Sequence, residues 1–300
     1  MSASPTITAA FKQQFHDSYV LALQQMTSRF QGTVMDRGMI EGSSFTINNT
    51  GLIEAREVTG RYQDKTAQNP DNATRIVYMS DYDIGPIPVD SFDKVKLAAD
   101  PTSSYVQMLT GASNRRKDKT IYRALLDGVF SKSSEGGTPT LATLPAGQQI
   151  AAGGTGLTKA KVIQAKSLFR KNKADAIDNP GTKLYIAYNS DSVRQILSDT
   201  TLTSADFLAA RMLENGDLVN WCGFEWIPYE DMDVPAGNTA RTVAWSSTAV
   251  QYGLGITVKT DISENKNKRG HPTEVYGWLS LGAGRQDESK VVQIDFATNV

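Results

Sequence analysis

The sequence predicts an α+β fold, and three observations carry that prediction. One long helix is written between Asp100-Pro101 and about Val129. Residues 32–91 before it lose helical periodicity and break into short β-rich runs between glycines and prolines. Residues 241–300 are again dominated by strand-like runs.

In chain order, residues 7–30 carry Phe11, Phe15, Tyr19, Leu23, Met26 and Phe30 at spacings of three and four, which places them on one helical face. Such a face belongs either to a core helix or to an arm that packs on a neighbouring subunit. Residues 32–91 are punctuated by Gly32, Gly38, Gly42, Gly51, Gly60 and Gly85 and by Pro70, Pro86 and Pro88. Within them, 44–47 (SFTI) and 75–79 (RIVYM) read as strands, and the polar stretch 51–72 between them ends in turn formers. A long two-stranded hairpin is marginal by itself, so this one is expected to lie on a neighbour. In the long helix, Asp100 is placed to cap the first turn and Pro101 suits the first helical position. Charge sits mid-helix at Arg115, Arg116, Lys117, Asp118 and Lys119, and apolar residues return at Ile121, Tyr122, Leu125 and Leu126. A helix of that span is roughly 40 Å long, more than a compact domain needs, and reads as a spine.

Residues 131–157 are rich in Gly, Ser, Thr and Pro and read as a loop or boundary. Thr158 then caps a helix carrying Val162, Ile163, Leu168 and Phe169. Residues 184–188 (LYIAY) read as a strand, and Ser190 caps a short helix through Val193, Ile196 and Leu197. A further helix with Phe207, Leu208, Met212 and Leu213 stops at Asn215-Gly216. Residues 218–229 read as strands with a turn at Gly223, and four more strands are expected at 241–245, 252–258, 274–281 and 290–296. No internal repeat is present.

Composition narrows the function. The 300 residues are 40% hydrophobic and 21% charged, and 31 basic against 32 acidic side chains leave a net charge of −1. A dedicated nucleic-acid binder is usually basic or carries a basic stripe, and Lys266, Lys268 and Arg269 are too short a cluster to make one. Cys222 is the only cysteine, so no intrachain disulfide or cysteine-based zinc site forms within one chain. The first residues lack the blocks of a signal peptide, and no run of about 18 apolar residues occurs, so no membrane-crossing helix is expected. The chain is expected to be made and kept in a reducing cytoplasm.

Catalytic patterns are weak. His16 and His271 are the only histidines available to a nucleophilic site. Cys222, between Trp221 and Gly223, reads as a buried, inert thiol in an apolar strand. The stretch from Gly153 to Lys159 fails as a phosphate loop because it lacks Gly-Lys-Ser/Thr. Gly282-Ala283-Gly284 fails as a dinucleotide fingerprint because Asp287 stands at the third glycine position, and reads instead as a turn or bulge. Asp81/Asp83 and Glu230/Asp231/Asp233 lack a calcium-loop pattern. No enzyme activity, cofactor or metal is expected. Arg115 and Asp118, three apart, pair weakly on a solvated face or pair with a neighbouring subunit.

The spine region, with its Asp100-Pro101 start, Arg115 followed by Asp118, and apolar end closed by Gly128, resembles that of tailed-bacteriophage major capsid proteins, the Hong Kong ninety-seven type fold. Residues 206–216 (DFLAARMLENG) followed by Trp221-Cys222-Gly223-Phe224, and 277–285 (GWLSLGAGR) followed by 291–294 (VVQI), also resemble that family. The resemblance implies an amino-terminal arm at 1–31, an extended β-hairpin loop at 32–85, and a peripheral domain with the spine helix at 86–157. An axial domain would occupy most of 158–240, and the strands of 241–300 would complete both domains. It implies a major capsid subunit that assembles into pentamers and hexamers enclosing double-stranded DNA, located in the virion and assembled in the host cytoplasm. Implied partners are further copies of itself, a separate scaffolding protein, a portal protein, a decoration protein and packaged DNA touched without sequence preference, with no membrane. Candidate subunit-interface residues are Phe11, Phe15, Tyr19, Arg61, Tyr62, Lys65, Arg115, Arg116 and Asp118. Lys65 and Asn69 lie in the extended loop, but no covalent cross-link is expected. Because the arm begins almost at Met1, scaffolding is expected to come from a second protein. An encapsulin-like compartment shell and a soluble α+β enzyme are the alternatives.

Overall fold

The computed structural model describes residues 25–89, 102–198 and 220–299, apart from 58, 59, 62, 63, 65, 66, 135 and 236. Most of the first expected helix, the Asp100-Pro101 cap and the helix around Phe207 to Leu213 lie outside those residues. Among the described residues there are fourteen strands and three α-helices in a mixed order, as an α+β fold requires. The chain divides into two compact units. The smaller takes residues 1–27, 81–115 and 257–279, and the larger takes 28–80, 116–256 and 280–300.

The spine helix exists. α1 runs Thr102–Leu126, about 37 Å at ~1.5 Å per residue, and ends before Val129 because that residue opens a strand. In the smaller unit its Leu109 is 1% exposed. It packs over Gly277 of strand β13 (Thr273–Arg285), where an added Cβ would stand 3.4 Å from a Leu109 methyl. Further along, Asn114 Nδ2 donates to the Met26 carbonyl at 2.7 Å. Residues 25–30 are not helical. The apolar period therefore misplaces this end of the expected helix: Met26 is 51% exposed, while Phe30 is fully buried for a different reason given below.

The larger unit holds two sheets of its own. The first is four-stranded in the order β2 (Ser44–Thr50), β3 (Asn72–Tyr78), β5 (Val129–Lys132), β6 (Thr140–Ala142), antiparallel throughout. Its inner face buries Phe45, Ile47, Val77 and Val129, with Ile40, Met79 and Ala142 packed against them. This corrects two expectations. Residues 131–157 are not simply a loop: they contribute β6, the end of β5 and the short β7 (Gln149–Ile150). The base of the hairpin is supported by its own chain, because β5 pairs with β3. Alternation over three or four residues between Ser, Thr and Gly is too short to stand out as strand in a sequence.

The second sheet is six-stranded: β7, β14 (Val291–Ala297), β11 (Thr239–Ser246), β8 (Leu184–Tyr188), β10 (Phe224–Pro228), β9 (Asn220–Trp221). β8 lies parallel to β10 and antiparallel to β11, in register Ile186↔Ala244. All five β8 residues are buried, as its unbroken apolar run requires. Helix α2 (Lys159–Lys171) buries Val162, Ala165 and Phe169, and the Phe169 ring meets Phe224 edge-on at 5.9 Å. Thr158 caps α2 in backbone geometry alone, without a side-chain bond. The third helix, α3 (Ser190–Ser198), is capped by Asn189 rather than Ser190: Asn189 Oδ1 accepts from Ser192 N at 2.9 Å. Ser190 instead donates to Glu230 at 2.6 Å.

The third sheet orders β1 (Met35–Met39), β12 (Val250–Glu264), β13 and β4 (Ser80–Val89). Gly282-Ala283-Gly284 is not a turn but lies inside β13. A Cβ at Gly282 would come 2.8 Å from the Tyr78 carbonyl oxygen, and one at Gly284 would enter the Val77 side chain, so the glycines let the chain at 77–79 lie across β13. The other correction is Cys222. It is not in a strand: with Gly223 it forms a two-residue turn between β9 and β10, both residues at positive φ (54° and 76°) and Trp221 opposite Phe224.

Candidate functional site

The root of the amino-terminal segment is fixed by α1. Asp118 is fully buried and accepts four hydrogen bonds: from Ser28 Oγ at 2.5 Å, from Arg29 N at 3.0 Å to each oxygen, and from Phe30 N at 3.2 Å. A carboxylate accepting backbone N–H groups is a strong, charge-assisted arrangement. The next residues enter an aromatic nest. Phe30 meets Tyr229 at 4.8 Å and Trp245 at 5.4 Å, and Trp245 Nε1 donates to the Thr33 carbonyl at 3.2 Å. Tyr122 closes the floor, its hydroxyl donating to the Arg241 carbonyl at 2.6 Å, and burial pushes that phenol well above its ordinary pKa. Asp118 is thus a correction to the candidate interface set. Its charge serves residues 28–30 of its own chain and does not reach the surface.

A second buried hub ties the hairpin to the end of the helix. Arg285 is fully buried. Its guanidinium donates to the carbonyls of Leu125 (2.9 Å), Asp127 (3.0 Å) and Ala142 (3.3 Å). Glu288 accepts from Arg285 Nε at 3.4 Å and takes a two-pronged bond from Arg75 at 2.5 and 2.6 Å. Burial acts to raise the Glu288 carboxyl, but hydrogen bonds and charge from Arg75, with Arg285 behind it, outweigh that and hold it below the usual range. Asn49 adds a bond from the hairpin to the Gln286 carbonyl. Sequence reasoning missed this hub; its one signal was an arginine, Arg285, closing a long apolar run.

The chemistry-bearing residues do not converge. Cys222 lines a cleft of about 460 Å³ with Lys166, Lys183, Trp221 and Glu225, and no histidine is in its lining. Burial pushes the Cys222 thiol up, away from thiolate, and burial lowers Lys166 against the opposing pull of Asp175. His271 sits in the turn before β13, with its backbone N–H on the Lys268 carbonyl, and His16 lies outside the described residues. At the glycine loop 153–158 a cation is already in place: the Lys161 ammonium donates to Thr155 O of the loop at 3.0 Å, to Ala152 O before it at 2.8 Å and to Asp295 O at 3.1 Å. Among the described residues, no three His, Cys, Asp or Glu side chains gather as metal ligands. Nor is any described helix long and apolar enough to cross a membrane.

Of the other candidate interface residues, Arg61 and Arg115 are exposed and Arg116 is half-buried. Phe11, Phe15, Tyr19, Tyr62 and Lys65 lie outside the described residues.

A family model described as phage capsid protein matches residues 7–298. No curated protein matches the sequence. Among solved structures, the acid-stable capsid of Helicobacter pylori bacteriophage KHP30 aligns over 100% of this chain and 99% of that one, with 12% identity and a TM-score of 0.73. The capsid of the cyanophage P-SCSP1u covers 97% and 94% at 14% identity and 0.70. The capsid of Ralstonia phage GP4 covers 96% and 95% at 11% identity and 0.70. At such identities the likeness speaks for the fold.

Proposed function

From the premise that the chain belongs to the phage capsid protein family and is a structural protein of the virion shell, we propose that it is the subunit whose pentamers and hexamers close an icosahedral head around double-stranded DNA. The observation that carries this reading is a family match spanning residues 7–298. The physical features agree. Buried polar hubs built on Asp118 and Arg285 tie the chain's own segments together, as a subunit that must hold its shape requires. Heterologous contacts that close rings and then tile a curved surface suit such a subunit.

In this proposal residues 1–31 are the arm and 32–85 the extended loop that reaches a neighbour. Residues 86–157 hold the spine, 158–240 are mainly axial, and 241–300 complete both domains. Phe11, Phe15, Tyr19, Arg61, Tyr62, Lys65, Arg115 and Arg116 remain the candidate contact residues. Scaffolding, portal and decoration proteins and the packaged DNA are the other partners, met during assembly in the host cytoplasm. The compartment-shell and enzyme alternatives have no comparable support, since the matches given above are capsids of phages.

Electron microscopy of the purified protein, alone and with an extract supplying scaffold, tests the reading. Closed shells, or rings of five and six, are expected. A protein that stays monomeric or dimeric with scaffold present overturns it.

A further inference from the structure

The outer face of the β2-β3-β5-β6 sheet is apolar where water should meet it. Ile76, Phe130 and Leu141 stand side by side in register on three neighbouring strands. Tyr78 meets the Phe130 ring edge-on at 5.8 Å. Tyr78 is 55% exposed, Phe130 41% and Leu141 56%. The opposite face already carries the sheet's core, so this row is not needed to hold the sheet on its own chain. Antiparallel sheets with one buried face normally turn polar residues outward, and a grouped apolar row on that face marks a contact.

The same hairpin exposes a second apolar feature. After β2, residues 51–57 have no regular structure, and Leu52 is 95% and Ile53 60% exposed. Leu52 cannot fold back onto its own sheet. It lies six residues beyond Thr46, which sits opposite Ile76, or about 20 Å at ~3.3 Å per residue. The pairs Asn48↔Thr74, Asn49↔Ala73 and Thr50↔Asn72 and the Gly51 N to Asp71 O bond hold that length extended.

Charge says what fits. Glu54 follows Leu52 by two residues and is exposed, and Lys132 follows Phe130 by two residues on the outward side of β5. On strand β5 that spacing keeps both side chains on one face, and in the loop segment Leu52 and Glu54 are both exposed. The loop therefore offers apolar-then-acidic where the sheet offers apolar-then-basic. We propose that the Leu52–Glu54 segment of one copy docks on the Ile76–Phe130–Leu141 row of a second copy, with Glu54 against Lys132. The contact is head-to-tail, so each subunit uses both halves and the pattern repeats around a ring. The inference rests on the shell reading and adds the address at which the loop lands.

The test uses shells assembled from equal parts of isotopically heavy and light wild-type protein, treated with a zero-length carboxyl–amine coupling reagent. Mass spectrometry of joined peptides is expected to find Glu54 linked to Lys132 as mixed heavy–light pairs. Shells in which Lys132 couples to another protein, or in which no mixed Glu54–Lys132 peptide forms, overturn the docking and leave the shell reading intact. Failure to form any shell with scaffold supplied removes the shell reading, and the docking with it. As a second arm, Leu52→Asp is expected to lower the assembled fraction roughly tenfold or more while the circular dichroism of the free subunit is unchanged. Assembly at wild-type yield by Leu52→Asp also overturns the docking.

Discussion

At the scale of single residues, the groups that matter most are buried polar ones rather than exposed charges. Asp118 was legible in the sequence as a charge at mid-helix, and its proximity to Arg115 invited a surface pairing. What the sequence could not show was that a segment some ninety positions earlier brings three donors to it (separation 88 to 90 residues). Replacing Asp118 with Ala strands those donors in a buried site, so the free subunit is expected to lose about 3 kcal/mol in urea unfolding. Asp118→Asn, which keeps one acceptor, recovers part of that. Glu288 gives a pH prediction. Its folded carboxyl is held below the ordinary value of 4.5, so its contribution is fully present above that pH and is lost as pH falls through the lowered folded value. Acid unfolding followed by tryptophan fluorescence should therefore steepen below about pH 4.5, and Glu288→Gln should flatten that limb. At neutral pH the same variant costs about 3 kcal/mol, because it leaves Arg75 and Arg285 short of their counter-charge.

At the scale of elements, the long and strongly patterned ones were readable. α1, β8, β11 and β14 lie where periodicity or an apolar run put them, and β12 and β13 start there but run on past the expected ends to Glu264 and Arg285. Cys222-Gly223 was half readable: the glycine marked a turn, but nothing local required Cys222 to join it at positive φ. The short strands β5 and β6 were not readable, since their stability comes from pairing with β3 and from a core shared with distant Phe45 and Ile47. The mid-strand glycines of β13 do not make the turn that is one reading of them, for the same reason. A glycine in a sequence says that space is needed, and only the fold says whether a turn or another chain segment takes it. Gly284→Val tests the second case. Its side chain would collide with Val77, so the variant is expected to lose about 1–3 kcal/mol by overpacking, read as a lowered denaturation midpoint.

At the scale of the whole molecule, the fold class was legible because long strands and one overlong helix survive as patterns even where a short element is hidden. The address of each contact surface was not, because a surface is made by strand register and burial, and neither is written in any one segment. The shell reading carries a thermodynamic expectation of its own. Contacts between copies add to the stability of each subunit by mass action, so assembled shells should melt well above free subunits in scanning calorimetry. Coincident transitions for the two would mean that the subunit draws nothing from its neighbours.

The caged Lys161 ammonium makes one further behaviour measurable. With three carbonyls around it and 8% exposure, this amine is shielded from acylating reagents that modify surface lysines such as Lys183 at once. Its labelling must await the parting of α2 from the last strand, so its slow acylation is a clock for that opening. A footprint that lights up at Lys161 on release from the particle would time, from inside a single loop, how firmly the lattice keeps each tile shut.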